Sequence, residues 1–197
     1  MREELDDLSG PFDPELRFED LSKEFLLRIM HVWQFAWVHM AQAFLEATRK
    51  RVGFDEANAI QLEAWQLIAE RVNPRYAEIG KIRLETVLDS LKALQLPLDN
   101  TMHSLYGARY EIKNENHVIV TIPQCKTLCH YEQREPDMIH PTCHVLEPKV
   151  IEKYLINPRI KVRPLKLPPR DEPGEIACQW EYTLEEQARS GARETGS

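Results

Sequence analysis

Proline placement constrains this chain more than any other feature. A proline fixes φ and removes a backbone donor, so it is excluded from most helix interiors and central strands. No proline lies between Glu15 and Asn73, whereas nine of the thirteen prolines fall between Pro123 and Pro173. The first half can therefore be mostly helix, and the second half must be strands, turns and short helices. The expected fold class is α+β: an N-terminal helical half packed on a small antiparallel sheet, with one further helix. The 197 residues suffice for one sizeable core. We expect an acidic arm over 1–20 and a single domain over 21–185, helical over 21–97 and sheet-rich over 98–185. A tail over 186–197, without large apolar residues, is expected to be disordered.

Periodicity fills in the elements. Met30, Trp33, Trp37, Met40 and Phe44 recur at three- and four-residue steps and predict one long helix from Leu21 to Val52, stopped by Gly53. The stripe reads as a core face. Asp55 is the expected cap of a second helix carrying Ala57, Ala64, Trp65, Ile68 and Val72. Asn73-Pro74 reads as the cap and first position of a third, which carries Leu84, Val87, Leu88, Leu91 and Leu94 and stops before Pro97. Beyond Asp99-Asn100-Thr101, a turn, residues 108–113 and 117–122 alternate about Asn114-Glu115-Asn116, which predicts a β-hairpin. A short helix over Glu147 to Ile156, a strand over Arg159 to Arg163 and a strand over Glu175 to Leu184 complete the reading. Leu5, Leu8, Phe12, Leu16 and Phe18 are the arm residues expected to dock.

Charge narrows the function classes. Lysine plus arginine is 25 and aspartate plus glutamate is 32, a net charge of −7. Residues 1–24 hold nine acids and three bases, so they carry −6 and the rest only −1. The chain lacks the basic field of a nucleic-acid binder, and no nucleic-acid partner is expected. The most apolar stretch, Phe25 to Phe44, is interrupted by Arg28, His31, Gln34, His39 and Gln42, so no membrane span is expected. The start, Met1-Arg2-Glu3-Glu4-Leu5-Asp6-Asp7, does not read as a secretory signal, and a cytoplasmic location is expected.

In a reducing cytosol Cys125, Cys129, Cys143 and Cys178 are thiols, catalytic groups or metal ligands rather than disulfides. All four, with four of the seven histidines, lie between His117 and Cys178. The dense part is Cys125-x3-Cys129-His130 followed by His140-x2-Cys143-His144. Thiolate and imidazole are the donors that zinc prefers, and they also suit iron. The candidate ligands are Cys125, Cys143, His144 and Cys178, with Glu132 as an oxygen donor. The spacing is not that of paired zinc knuckles, so buried core thiols and exposed loop histidines are the competing reading. Three protein ligands leave a position open for water; four close the site.

These residues carry a resemblance. Cys143-His144 before the helix at 147–156, the basic stretch Arg159–Lys166 and Cys178-Gln179-Trp180-Glu181-Tyr182 resemble the four-vinyl-reductase type of small-molecule-binding domain. Trp37, Gly53-Phe54-Asp55-Glu56-Ala57, Trp65, Leu167-Pro168-Pro169-Arg170 and Ala177-Cys178-Gln179-Trp180 resemble a bacterial family grouped with L-2-amino-thiazoline-4-carboxylic acid hydrolase. The resemblance spans roughly residues 15–185. It implies helices on an antiparallel sheet, often a homodimer. In sensors of the vinyl-reductase type, zinc is held by cysteines equivalent to Cys143 and Cys178, with a glutamate and a third cysteine on the strand between. This chain has Pro164-Leu165-Lys166-Leu167-Pro168 there, so a metal must recruit Cys125, His144 or Glu132 instead. The hydrolases open a thiazoline ring with water.

Outside the cluster, His31, Phe35 and His39 fall on one ridge of the long helix, and Trp33, Trp37 and Trp65 are candidates for an aromatic cage. Lys161 and Arg163 share a strand face with Arg159 and, with Lys166 and Arg170, are candidates to hold a carboxylate. The expected function is a zinc-dependent, hydrolase-like enzyme for a small anionic molecule. His144 and Glu132 are its candidate catalytic residues, and His31, His39, Trp37, Lys161, Arg163 and Arg170 its candidate substrate contacts. The alternative is a non-catalytic ligand-binding module with a structural metal.

Overall fold

The computed structural model describes residues 4–97, 106–172 and 174–185. The expected disordered tail and the turn at Asp99-Asn100-Thr101 lie outside the described residues. The chain falls into two compact units, 1–59 and 60–197.

In the first unit an irregular arm leads into α1, Lys23–Val52. Ser22 caps α1 by accepting the Phe25 N–H at 3.2 Å, and Gly53 ends it at φ 87, a backbone that glycine adopts without strain. The arm is tied to this start. Leu5 N–H donates to the Asp20 carbonyl at 2.9 Å, and Ser22 N–H donates to the Leu5 carbonyl at 2.9 Å. Phe18 stands edge-on to Trp33 at 5.9 Å, while Leu5, Leu8 and Phe12 stay exposed. No residue of α1 itself is buried. The stripe read as a core face is exposed, because this unit offers only the arm and the start of the next helix to cover it.

Helix α2, Phe54–Ile79, runs through Pro74. The sequence reading placed a helix start at Asn73-Pro74. The tertiary structure uses Asn73 differently: its side chain is buried and donates to the Tyr154 carbonyl at 2.9 Å. That carbonyl ends a helix and has no intrahelical partner. Asn73→Ala is expected to cost about 1–2 kcal/mol, read from the urea midpoint, since it strands a buried acceptor. The real stop comes at Gly80-Lys81: Lys81 sits at φ 50, its N–H reaches the Glu78 carbonyl at 3.0 Å, and Ile82 N–H reaches the Ala77 carbonyl at 2.9 Å. This is a left-handed helix cap. The next helix, α3, is only Val87–Ala93, opened by a reciprocal Thr86–Asp89 cap.

The hairpin forms as read: β1 is Arg109–Asn114 and β2 is His117–Ile122. Then come α4 (Lys126–Arg134), a π-helix (His140–Leu146), α5 (Glu147–Tyr154), β3 (Ile160–Lys166) and β4 (Cys178–Leu184). The four strands form one antiparallel sheet in the order β1-β2-β4-β3. Pro164 is tolerated within β3 because that strand is an edge. Alternation puts Val118, Val120 and Ile122 of β2 and Trp180 and Tyr182 of β4 on the buried face. Val87, Leu91, Leu94, Leu128, Tyr154 and Leu155 complete the core. The fold is α+β with its long helices at the N-terminal end. Among the described residues, no helix is long and apolar enough to cross a membrane.

Candidate functional site

The cysteines converge because of where their elements start. Strand β2 delivers Cys125 three residues beyond Ile122, and Ile122 pairs with Cys178 at the start of β4. Cys178 shares the core-facing alternation of Trp180 and Tyr182, and its Sγ accepts the Trp180 indole N–H at 3.2 Å. Cys125 is the N-cap of α4, its Sγ accepting the Leu128 N–H at 3.5 Å. Cys143 lies in the π-helix. Wide-turn π segments are rare and concentrate at functional sites.

The three thiols and Glu147 are close enough to feel one another electrostatically. Burial pushes the Cys143 and Cys178 thiols up to about 12, reinforced by Glu147, by neighbouring cysteines and, for Cys143, by Glu132. Cys125 is also raised, first by burial, although hydrogen bonds at the start of α4 pull the other way. Glu147 has an exposed surface but is densely surrounded by protein, and this desolvation holds its carboxyl above the usual carboxylate range. At neutral pH the cluster is therefore three protonated thiols, weak nucleophiles as they stand.

His144 stands beside Cys143 in sequence, and its Nε2–H donates to the Pro168 carbonyl at 2.5 Å. A carbonyl can only accept, so Nε2 carries a proton, and in the neutral ring Nδ1 is the nitrogen with the lone pair. His140 stacks on the same ring at 5.0 Å with an interplanar angle of 12°. A backbone carbonyl fixing one nitrogen is the usual support for an imidazole that binds metal through the other.

Glu132 is committed elsewhere. Arg170 Nε donates to its Oε1 at 2.8 Å, and Nη2 donates to its Oε2. Nη2 also faces Cys129 Sγ at 3.8 Å. The fork holds the Glu132 carboxyl below its usual range through those hydrogen bonds and the nearby guanidinium charge. It ties the loop after β3 to α4.

Lys161 and Arg163 are not brought to this cluster. Val162 pairs with Tyr182 in register, so Lys161 and Arg163 point from the other face of the sheet. There Arg163 Nη2 meets Glu181 at 2.6 Å, His117 Nε2 lies 3.0 Å from the same carboxylate, and Lys161 lies 3.7 Å from Glu185. Lys166 pairs with Glu175 at 2.7 Å. The basic stretch thus forms a row of ion pairs. His31, Trp37 and His39 are exposed on α1 in the first unit, and His39 Nδ1 is 2.9 Å from the Phe35 carbonyl of its own helix. Trp65 belongs to the second unit, its ring 5.7 Å from that of Tyr154.

Sequence reading missed Glu147 as a site residue. Its signal was the run Cys143-His144-Val145-Leu146-Glu147, which keeps the acid within about one helical turn of the thiol and imidazole. It also missed α4, because Cys125 is not a residue type that announces a cap.

Among the described residues, no three or more His, Cys, Asp or Glu side chains stand in an arrangement that holds a metal ion. A family model described as a family of unknown function, DUF6125, matches residues 19–184, so the chain belongs to that family. No curated protein and no solved structure matches it.

Proposed function

We propose that this member of the DUF6125 family binds a metal ion, zinc first and iron second, at Cys125, Cys143 and Cys178, with His144 Nδ1 as the remaining donor. We propose further that the site serves a small-molecule, hydrolase-like reaction. The observation that carries the reading is the gathering of three cysteines from three separate elements near Glu147, beside an imidazole whose Nε2 is fixed by the Pro168 carbonyl. Protonated thiols suit this role, because metal uptake exchanges their protons for the ion. The donor chemistry fits zinc. Held by the three cysteines with His144 Nδ1 off the metal, zinc would keep an open position and supply a Lewis acid and an activated water; with His144 bound as well, the site would be closed and structural.

The chain's own groups divide the remaining work. Glu147, its carboxyl raised by desolvation, is the acid placed to exchange a proton beside the thiols. Glu132 and Arg170 position α4 and the loop after β3, and in this reading neither acts on substrate.

Untagged protein purified anaerobically is expected to carry about one equivalent of zinc or iron. Less than about 0.2 equivalents, with no uptake from added zinc, overturns the reading. Cys143→Ala and Cys178→Ala are each expected to lose the metal. Glu147→Gln is expected to keep it. Unfolding of metal-stripped wild type would favour the structural-metal alternative over an enzyme.

A further inference from the structure

Helix α1 carries a second pattern that its exposure makes visible. Leu26, Met30, Trp33, Trp37, Met40 and Phe44 alternate four- and three-residue steps, and Ala47 continues them. This is a strict 3.5-residue repeat over three heptads, the spacing of a coiled-coil seam. There is no Asp, Glu, Lys or Arg between Arg28 and Glu46. Met30 is 42%, Trp33 51%, Trp37 41%, Met40 56% and Phe44 66% exposed. Ala36 and Ala43 flank the seam with small side chains that let another helix approach.

We propose that this face is the interface with a second copy of the chain, paired antiparallel. At about 200 Å² for a large side chain, the exposed parts of the seam offer roughly 500–600 Å² per copy. That is most of the about 800 Å² per partner that a stable complex covers. Charge selects the direction. Asp6, Asp7, Asp13, Glu15, Glu19 and Asp20 precede α1, and Arg49, Lys50 and Arg51 form its last turn. A parallel pair sets like charge on like, whereas an antiparallel pair sets the acidic arm of one copy beside the basic end of the other. The repeat is symmetric under that reversal. Trp33 falls opposite Trp37 of the second copy, Met30 opposite Met40, and Leu26 opposite Phe44, so the six layers from Leu26 to Phe44 are apolar, and Ala47 falls opposite Lys23 at each end. A two-fold axis crosses the helices near residue 35.

Sedimentation of the full chain at about 50 μM tests the pairing; this is well above the micromolar range of weaker protein–protein complexes. The expected mass is twice 23.1 kDa. Trp37→Glu and Met40→Lys are each expected to lower the association constant at least a hundredfold while retaining wild-type circular dichroism. Val32→Lys, off the seam, is expected to leave the dimer intact and controls for a charge on α1. Zero-length carbodiimide coupling of mixed isotope-labelled copies is expected to join Lys50 of one copy to Glu19 or Asp20 of the other. A monomeric wild type overturns the proposal, including one that sediments with lipid vesicles instead. So does a dimer that survives both seam variants, or coupling that joins the same ends of the two helices.

Discussion

Trp180→Ala is expected to cost about 3–5 kcal/mol, the range for deleting a buried aromatic. Trp180 is 4% exposed on β4, an interior strand with β2 on one side and β3 on the other. It pairs in register with Val120, itself fully buried, and with Pro164 across the edge. Few atoms can collapse into the space it leaves, because a sheet interior fixes both neighbouring strands. Domains of this size have about 5–15 kcal/mol in total, so the variant should be close to unfolding at 37 °C. Chemical denaturation is the measurement. A loss under about 1 kcal/mol would show that the sheet does not pack around this residue. In Trp180→Phe, most of the stability should return. The indole N–H to Cys178 Sγ should not, so that variant separates packing from the thiol's hydrogen bond.

The second large effect falls on Glu132. The Arg170 side chain is only 6% exposed and Glu132 is 26% exposed, so removing the acid leaves a shielded guanidinium without its counter-charge. A deeply buried pair would lose about 3–5 kcal/mol. Arg170 lies under a thin cover near the surface, where water screens part of the charge, and about 2–3 kcal/mol is the expected loss for Glu132→Ala. The double variant Glu132→Ala/Arg170→Met is expected to recover at least half of it, because no uncompensated charge remains. A double variant worse than the single one would contradict this account. Acid should erase the difference between wild type and Glu132→Ala. The folded carboxyl is held below its ordinary value, so its contribution is complete above about pH 4.3 and is lost as pH falls through the lower folded pKa. Urea midpoints at pH 7, 4 and 3 measure that convergence.

Local patterns carried much of the architecture. Proline distribution and three- and four-residue apolar spacing marked α1 to within a few residues, and period-2 alternation marked the hairpin. These signals are short-range, so they survive without knowledge of neighbours. They failed where a distant group outweighed the local preference. Asn73 resembles a cap in sequence, but the Tyr154 carbonyl, eighty-one residues away, takes its side chain. Residues 140–146 contain a proline and read as loop, yet the chain winds them into a π-helix that carries Cys143 and His144.

The candidate site divides in the same way. Composition and spacing alone singled out Cys125, Cys143, His144 and Cys178, because thiolate and imidazole are recognisable wherever they stand. Only tertiary structure decided which charges reach them. Strand register turned Lys161 and Arg163 to the opposite face, since side chains alternate and Val162 is paired with Tyr182. The loop after β3 gave Glu132 to Arg170, and the fold left Glu147 beside the thiols. The sequence by itself determined the fold class, the long helix and the identity of the thiol cluster, all written in local periodicity and residue chemistry. The tertiary structure decided that Glu147 stands beside the thiols, because that depends on how separate elements pack, and it left the apolar stripe of α1 exposed within its own unit.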